Sequence, residues 1–257
     1  MKPALRWLLV FIVLASAGCR NDANTARELN DRGIALKNKG EYAEALRQYD
    51  QAIALRPDVA GYYNNRGLVY DLEGDYPRAI QDFDSAVARN PSHDTAIRNR
   101  GRAYFYLGEF VKAAADLRQA LGFDETRANA RPDHLLDDPG AYTAIWWHIA
   151  MKRLGKDDAQ EFAALAARVD SATWPGPIAG FLTGRLTADQ LRAAAAAAHS
   201  AAHPDQGCAV EFYIGEVLLA AGDSAEAARR FDATLAGCRK DYTEFQGAAA
   251  ELARVRR

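Results

Sequence analysis

The side chains that could do chemistry are few, and their spacing limits what that chemistry can be. His199 and His203 stand four apart, which puts two imidazoles on one face of a helix, a spacing that can hold a metal ion. No Glu follows the first His and no third ligand is evident, so the pair reads as two solvated histidines near a helix end, and no metal site is expected. His148 lies beside Trp146 and Trp147 in an apolar stretch and reads as a packed, hydrogen-bonded core residue and not as a catalyst. Trp174 reads as core and not as a ligand cage. There is no glycine-rich phosphate loop, zinc signature or serine-nucleophile motif. No catalytic residue and no cofactor is therefore expected. Of the three cysteines, Cys208 and Cys238 occupy the first and thirty-first positions of one helix pair described below. Antiparallel helices bring the start of the first close to the end of the second, so an intrachain disulfide is expected; the other reading is two buried thiols. Cys19 follows a leader and is read with it.

The elements that must position these groups repeat with a period of 34 residues. Gly33, Gly67 and Gly101 keep this spacing. So do Gly40, Gly74 and Gly108, then Ala45, Ala79 and Ala113, and again Ala52, Ala86 and Ala120. The large apolar series is Tyr49, Phe83 and Leu117; Pro57 and Pro91 close two units, with Glu125 in the third. This pattern resembles the tetratricopeptide repeat, an antiparallel helix pair. The repeats are Ala26–Val59, Ala60–His93 and Asp94–Arg127. Small residues such as Gly67 and Ala79 let two helices approach, and Phe83 fills what space remains. Gly74 suits a left-handed helix end, Asp75 the start of the next helix, and Pro91 the end of the unit. Thr25 with Glu28 reads as a capping box.

The register then breaks. Asp138-Pro139 predicts a helix start, followed by a helix over Ala141–Leu154 ended by Gly155, with Asp157–Val169 as the partner of a degenerate repeat. Trp174-Pro175-Gly176-Pro177 predicts a rigid turn, and Thr187 with Gln190 a capping box opening an Ala-rich helix. A fourth repeat, Cys208–Asp241, places Gly215, Gly222, Ala227 and Phe231 at the offsets of Gly67, Gly74, Ala79 and Phe83. Asp241 with Glu244 predicts the start of a last helix. Its face of Phe245, Ala248, Ala249, Leu252 and Val255 is expected to cover the open end of the stack. The expected organisation is a leader at 1–18, a tether at 19–25, three repeats at 26–127, a degenerate repeat and helical insertion at 128–207, and a fourth repeat with a capping helix at 208–257. The expected fold class is an all-α tetratricopeptide-repeat superhelix with an irregular helical insertion.

The leader carries Lys2 and Arg6, a continuous apolar run from Trp7 to Leu14, and small residues up to Cys19. The run is short of the roughly 20 residues that span a bilayer. The small residues before Cys19 resemble a lipobox, in which the cysteine becomes lipidated; Ser16 stands where that motif prefers Leu. Cleavage after Ala17 and ordinary secretion is the other reading. Hydrophobic residues at 49% and charged residues at 26% exclude a disordered chain. A net charge of −2, with no basic stripe, argues against nucleic-acid binding.

A solenoid of this type binds on the inner face formed by its first helices. Counting positions along each repeat selects Asn30, Asn64, Leu68, Asp71, Arg98, Arg102 and Phe105, with Asn65, Asn99 and Tyr106 beside them. Asn can satisfy a peptide backbone, Arg a carboxylate, and the aromatics an apolar side chain. Arg98 and Arg102, four apart, are expected to share one face, outside the packing series. The basic clamp that cytosolic chaperone adaptors use is largely absent: Asn65 fits, but Ile34, Thr95 and Asn99 do not.

The chain beyond residue 138 resembles the NlpI-like lipoproteins of Gram-negative bacteria. The residues that carry the likeness are Tyr142-x3-Trp146, Trp174 with Phe181-Leu182-x-Gly184, Phe212-Tyr213-Ile214-Gly215 leading to Gly222-Asp223, and Glu244-x6-Glu251-Leu252. The Cys208/Cys238 pair, the Ala193–Ala198 tract and the Pro-rich turn at Trp174 depart from that family. The resemblance implies a homodimeric, lipid-anchored adaptor at the periplasmic face of the outer membrane. It implies a periplasmic protease and a murein hydrolase as partners, in an organism that uses both to remodel its wall. Two other readings stand beside it: a pilotin-like lipoprotein assisting secretin or pilus assembly, and an accessory enzyme of cell-wall metabolism carrying repeats as decoration.

Overall fold

The computed structural model describes residues 22–198 and 206–256. The leader, Cys19, His199 and His203 lie outside the described residues. Among those described, every regular element is helical, the all-α class that the 34-residue period predicts. The chain divides into two compact units, Met1–Ala96 and Ile97–Arg257.

The first unit holds α1 (residues 22–38), α2 (Tyr42–Leu55), α3 (Ala60–Leu72) and α4 (Tyr76–Arg89). The glycine series does here what bulk would prevent. A Cβ at Gly33 would lie 2.6 Å from the ring of Tyr49, and one at Gly67 2.8 Å from the ring of Phe83. Each aromatic occupies the space its glycine leaves and is fully buried. Gly74 turns the chain between α3 and α4 at φ 78°, and Asp75 caps α4 by accepting from the amide of Arg78 at 3.1 Å. Thr25 is not a cap: helix α1 is already formed at residue 22, so Thr25 and Glu28 sit inside it.

The division between the units falls within α5 (Asp94–Leu107). The second unit continues with α6 (Phe110–Asn129), α7 (Asp138–Arg153), α8 (Ala159–Ala166), α9 (Gly176–Leu182), α10 (Ala188–Ala198), α11 (Gln206–Ala220), α12 (Ser224–Gly237) and α13 (Thr243–Val255). The packing rule recurs, with Gly101 against Leu117 and Gly215 against Phe231. Helix α6 reaches 20 residues because Glu125 stands where proline ends the earlier pairs, and nothing breaks its hydrogen bonds there. Asp137, one residue before the expected position, caps α7 by accepting from the amide of Gly140 at 3.0 Å. Thr187 and Gln190 form a reciprocal capping box, with both backbone amides satisfied by the partner's side chain. Only glycine fits at 176, since a Cβ there would lie 1.9 Å from the carbonyl oxygen of Asp170.

Two features of the carboxyl-terminal region depart from the sequence reading. Asp241 does not cap α13; it pairs with Arg239, and Tyr242 stands at the cap position. The helix also buries a different face, made of Glu244, Gln246, Gly247, Ala248, Glu251 and Leu252, while Phe245, Ala249 and Val255 are only partly covered. Two carboxylates can be buried because each meets a donor. The hydroxyl of Tyr213 donates to Glu244 Oε1 at 2.7 Å, and Glu251 accepts from Arg153 at 3.2 Å and pairs with Arg254. Gly247 lets the rings of Phe212 and Trp146 approach the backbone of α13.

Cys208 and Cys238 are joined, with Cα atoms 5.3 Å apart, tying the start of α11 to the end of α12 across a sequence separation of 30. On the chain-entropy account such a loop adds about 3–4 kcal/mol. Replacing both cysteines by serine is expected to lower unfolding stability by that amount without changing helicity, measured by urea titration of both proteins under oxidising conditions. Identical midpoints would show that this loop is not closed in the protein in solution.

Candidate binding faces of the two units

In the first unit, Asn30, Asn64, Asn65 and Asp71 are placed by α1 and α3. The amide of Asn65 donates to Asn30 Oδ1 at 2.8 Å, and that of Asn64 to Asn65 Oδ1 at 3.3 Å. Asn30, Asn64 and Asp71 are buried, whereas Asn65 and Leu68 are half-exposed. The structure thus brings three of the predicted amides into one chain of hydrogen bonds that runs from Asn64 through Asn65 to Asn30 and on to Asp31. Around it the helices are locked laterally. Arg66 makes a bidentate pair with Asp82 at 2.8 and 2.6 Å, and its other nitrogen reaches Asp50 at 2.6 Å. The same clamp recurs 34 residues on in the second unit, where Arg100 holds Asp116 at 2.7 and 2.8 Å. The sequence reading passed over this pair, although both partners keep the repeat spacing.

In the second unit the predicted residues part company. Arg102 stays with Asn99, donating to its Oδ1 at 2.8 Å. Arg98 turns away from both. Its Nε donates to Thr143 Oγ1 at 2.6 Å and its Nη2 to Asp124 at 2.9 Å, and the Asp124 side chain has no exposed surface. Arg98 therefore ties α5 to α6 and α7, contrary to its expected place on an open face. Burial raises the carboxyl of Asp124 above the ordinary range against the pull of Arg98 and Arg127.

Phe105 and Tyr106 are also not open. Phe105 is fully buried, edge-on to Trp146 at 5.1 Å and to Phe110 at 5.2 Å. Tyr106 packs edge-on to Trp146 at 5.8 Å, and its hydroxyl donates to the carbonyl of Thr243 at 3.1 Å. Arg254 donates back to the carbonyl of Tyr106 at 2.9 Å and lies over the rings of Phe105 and Phe110. The protein's own last helix thus covers these two aromatics. They bind α13, and no partner reaches them while it is in place.

His148 is buried; its Nδ1 meets Asp158 at 2.6 Å and its ring stacks on Phe162 at 3.9 Å. Trp174 is half-buried and donates from Nε1 to the Tyr142 hydroxyl oxygen at 3.0 Å. Among the described residues no group of three His, Cys, Asp or Glu side chains could hold a metal, and no helix is long and apolar enough to cross a membrane.

The helix-pair geometry and the glycine–aromatic contacts find their counterpart in comparison with known proteins. The family model described as "Tetratricopeptide repeat" matches residues 30–94 and 73–130. These residues are tetratricopeptide repeats. Tetratricopeptide repeats mediate protein–protein interaction. No curated protein sequence matches the chain. Among solved structures, a tetratricopeptide-repeat protein from Parabacteroides merdae is similar over 88% of this chain and 84% of its own, with 19% identity and a TM-score of 0.54. The Arabidopsis OM64 TPR domain is 25% identical over 52% of this chain and 97% of its own, at a TM-score of 0.43. The first TPR of Spaghetti (RPAP3), solved bound to an HSP90 peptide, is 28% identical over 39% of this chain and 79% of its own, at 0.39. The repeat match stops at residue 130, where the regular spacing of proline and glycine also stops.

Proposed function

We propose that the protein is a non-enzymatic adaptor of the cell envelope, lipid-anchored at Cys19 at the periplasmic face of the outer membrane, that holds other envelope proteins through its repeats. A periplasmic protease and a murein hydrolase are the partners this reading names. The observation that carries it is the amide chain of the first unit, Asn64, Asn65 and Asn30, with the partly buried Asn65 at its centre beside the partly buried Leu68. Held at its nitrogen by Asn30 and at its oxygen by Asn64, the partly buried Asn65 keeps a second N–H and a second lone pair that suit the backbone of a protein segment, and an adjacent leucine suits an apolar side chain. The leader and the resemblance to NlpI-like lipoproteins support the location, and the repeats support the class of partner.

The test is crosslinking in intact envelopes followed by affinity capture, with wild type and Asn65→Ala/Leu68→Ala. The expected result is recovery of a protease or wall hydrolase with wild type, and at least a tenfold loss with the variant at unchanged helicity. Equal recovery of the same partner by both proteins would move the binding surface off the first unit. Cys19→Ala, expected to abolish incorporation of a palmitate analogue, tests the anchor separately.

A further inference from the structure

One nitrogen of His148 is left over once its contact with Asp158 is made. The two residues are each 5% exposed, and Nδ1 of the ring meets Asp158 Oδ2 at 2.6 Å. A carboxylate can only accept, so the shared proton belongs to Nδ1, and in the neutral ring Nε2 then carries a lone pair. Phe162, stacked at 3.9 Å, holds the ring plane. Among the described residues nothing bonds to Nε2.

Lys152 follows one turn later on α7 and so shares a face with His148. Its Nζ stands 3.7 Å from Asp158 Oδ1, too far for a hydrogen bond, and its side chain is 41% exposed. The two oxygens of Asp158 therefore set an acceptor, His148 Nε2, beside a donor, Lys152 Nζ.

Both residues line a cavity of about 150 Å³ between α7, α9 and α11, together with Ile149, Leu182, Glu216, Val217 and Ala220. With Nδ1 turned to Asp158, Nε2 is the polar atom that the imidazole can present there. Glu216 contributes only its stem to the wall, because both its carboxylate oxygens are sealed. The remaining wall is aliphatic, and the 40% exposed Val217 marks its open side. A cavity of about this volume takes up benzene, so about six heavy atoms fit.

We propose that this cavity binds a small aliphatic alcohol, its hydroxyl donating to His148 Nε2 and accepting from Lys152 Nζ, its alkyl chain lying along Ile149, Leu182, Val217 and Ala220. A hydroxyl answers both groups with one oxygen, since it donates once and accepts twice. An ether would leave the Nε2 lone pair unmatched, and an unmade hydrogen bond in a buried place is costly. An ammonium would meet the like charge of Lys152. A carboxylate would bring its charge against the same lone pair and towards Asp158. The site lies in the second unit and does not depend on the binding face proposed for the first.

The experiment titrates the full chain with n-pentanol, after isotopic labelling of its Ile, Leu and Val methyl groups and its histidine nitrogens. Matched arms use ethyl propyl ether, n-pentylammonium chloride and sodium butyrate. The expected result is saturable methyl shifts at Ile149, Leu182 and Val217 with pentanol, at least fivefold tighter than with any of the other three. Saturation with pentanol is also expected to move the His148 Nε2 resonance upfield, as a lone pair that accepts a hydrogen bond does, and the ether is expected to leave it in place. Lys152→Met keeps the stem and removes the donor at a half-exposed position. It is expected to weaken pentanol at least threefold. Ether binding as tightly as pentanol, an unmoved Nε2 resonance at saturation, or full pentanol affinity in Lys152→Met would each overturn the proposal. So would the lack of any saturable shift, which would leave the cavity to water.

Discussion

Arg98→Glu is expected to lower the stability of the protein by at least about 3–5 kcal/mol and to abolish its cooperative unfolding transition in the second unit. The Asp124 side chain is wholly buried, and Arg98 is the partner that reaches it from α5. Removing Arg98 leaves the buried carboxylate with only the half-exposed Arg127 as a charged partner, and a second carboxylate in the same place adds repulsion, with a combined cost in that range. Thr143 would lose its donor as well. Arg98→Met should show the loss of the pair alone. Adding Asp124→Asn to it should recover part of the stability, because the orphan charge is then gone. Urea unfolding followed by circular dichroism reads all three. Coincident curves for wild type and Arg98→Glu would mean that Asp124 does not depend on Arg98. Arg102→Glu is a milder change, since that side chain meets the neutral Asn99.

A chain ending at Tyr242, and so lacking α13, is expected to lose about 5 kcal/mol and to bind hydrophobic dyes at Trp146, Phe212, Phe105 and Tyr106. The rings of Trp146 and Phe212 pack at 5.3 Å and both meet α13 at Gly247. Uncovering two large aromatics forfeits roughly 2–3 kcal/mol each, and the capped hydroxyls of Tyr106 and Tyr213 lose their acceptors too. Hydrogen exchange should rise along α7 and α11, in the residues that face α13, while α1 to α4 keep wild-type protection. Unchanged protection of α7 and α11 in the shortened chain would show that the helix rests on the surface without holding the core.

Within this protein the sequence alone determined which helices pair, and why. A 34-residue spacing of Gly33, Gly67, Gly101 and, after the break, Gly215 can be read without coordinates, because close helix approach needs a missing side chain at a fixed place in each pair. Turns at Gly74 and Gly222 follow from the same logic, as does the reciprocal box of Thr187 and Gln190. These are local rules, each settled within one helix pair.

What the tertiary structure decided is which side chains are left for a partner. Helical period places Arg98, Arg102, Phe105 and Tyr106 on related faces but does not say what lies opposite. The partners of Arg98 are 26 and 45 residues away, and Arg254 reaches Tyr106 across 148. No spacing rule connects such positions. The face that α13 buries was hidden for a related reason. A hydrophobic count favours Phe245 and Val255, yet Glu244 and Glu251 are buried because Tyr213 on α11 and Arg153 on α7 await them. Burial of charge depends on donors supplied by other helices, and those are known only once the chain has folded.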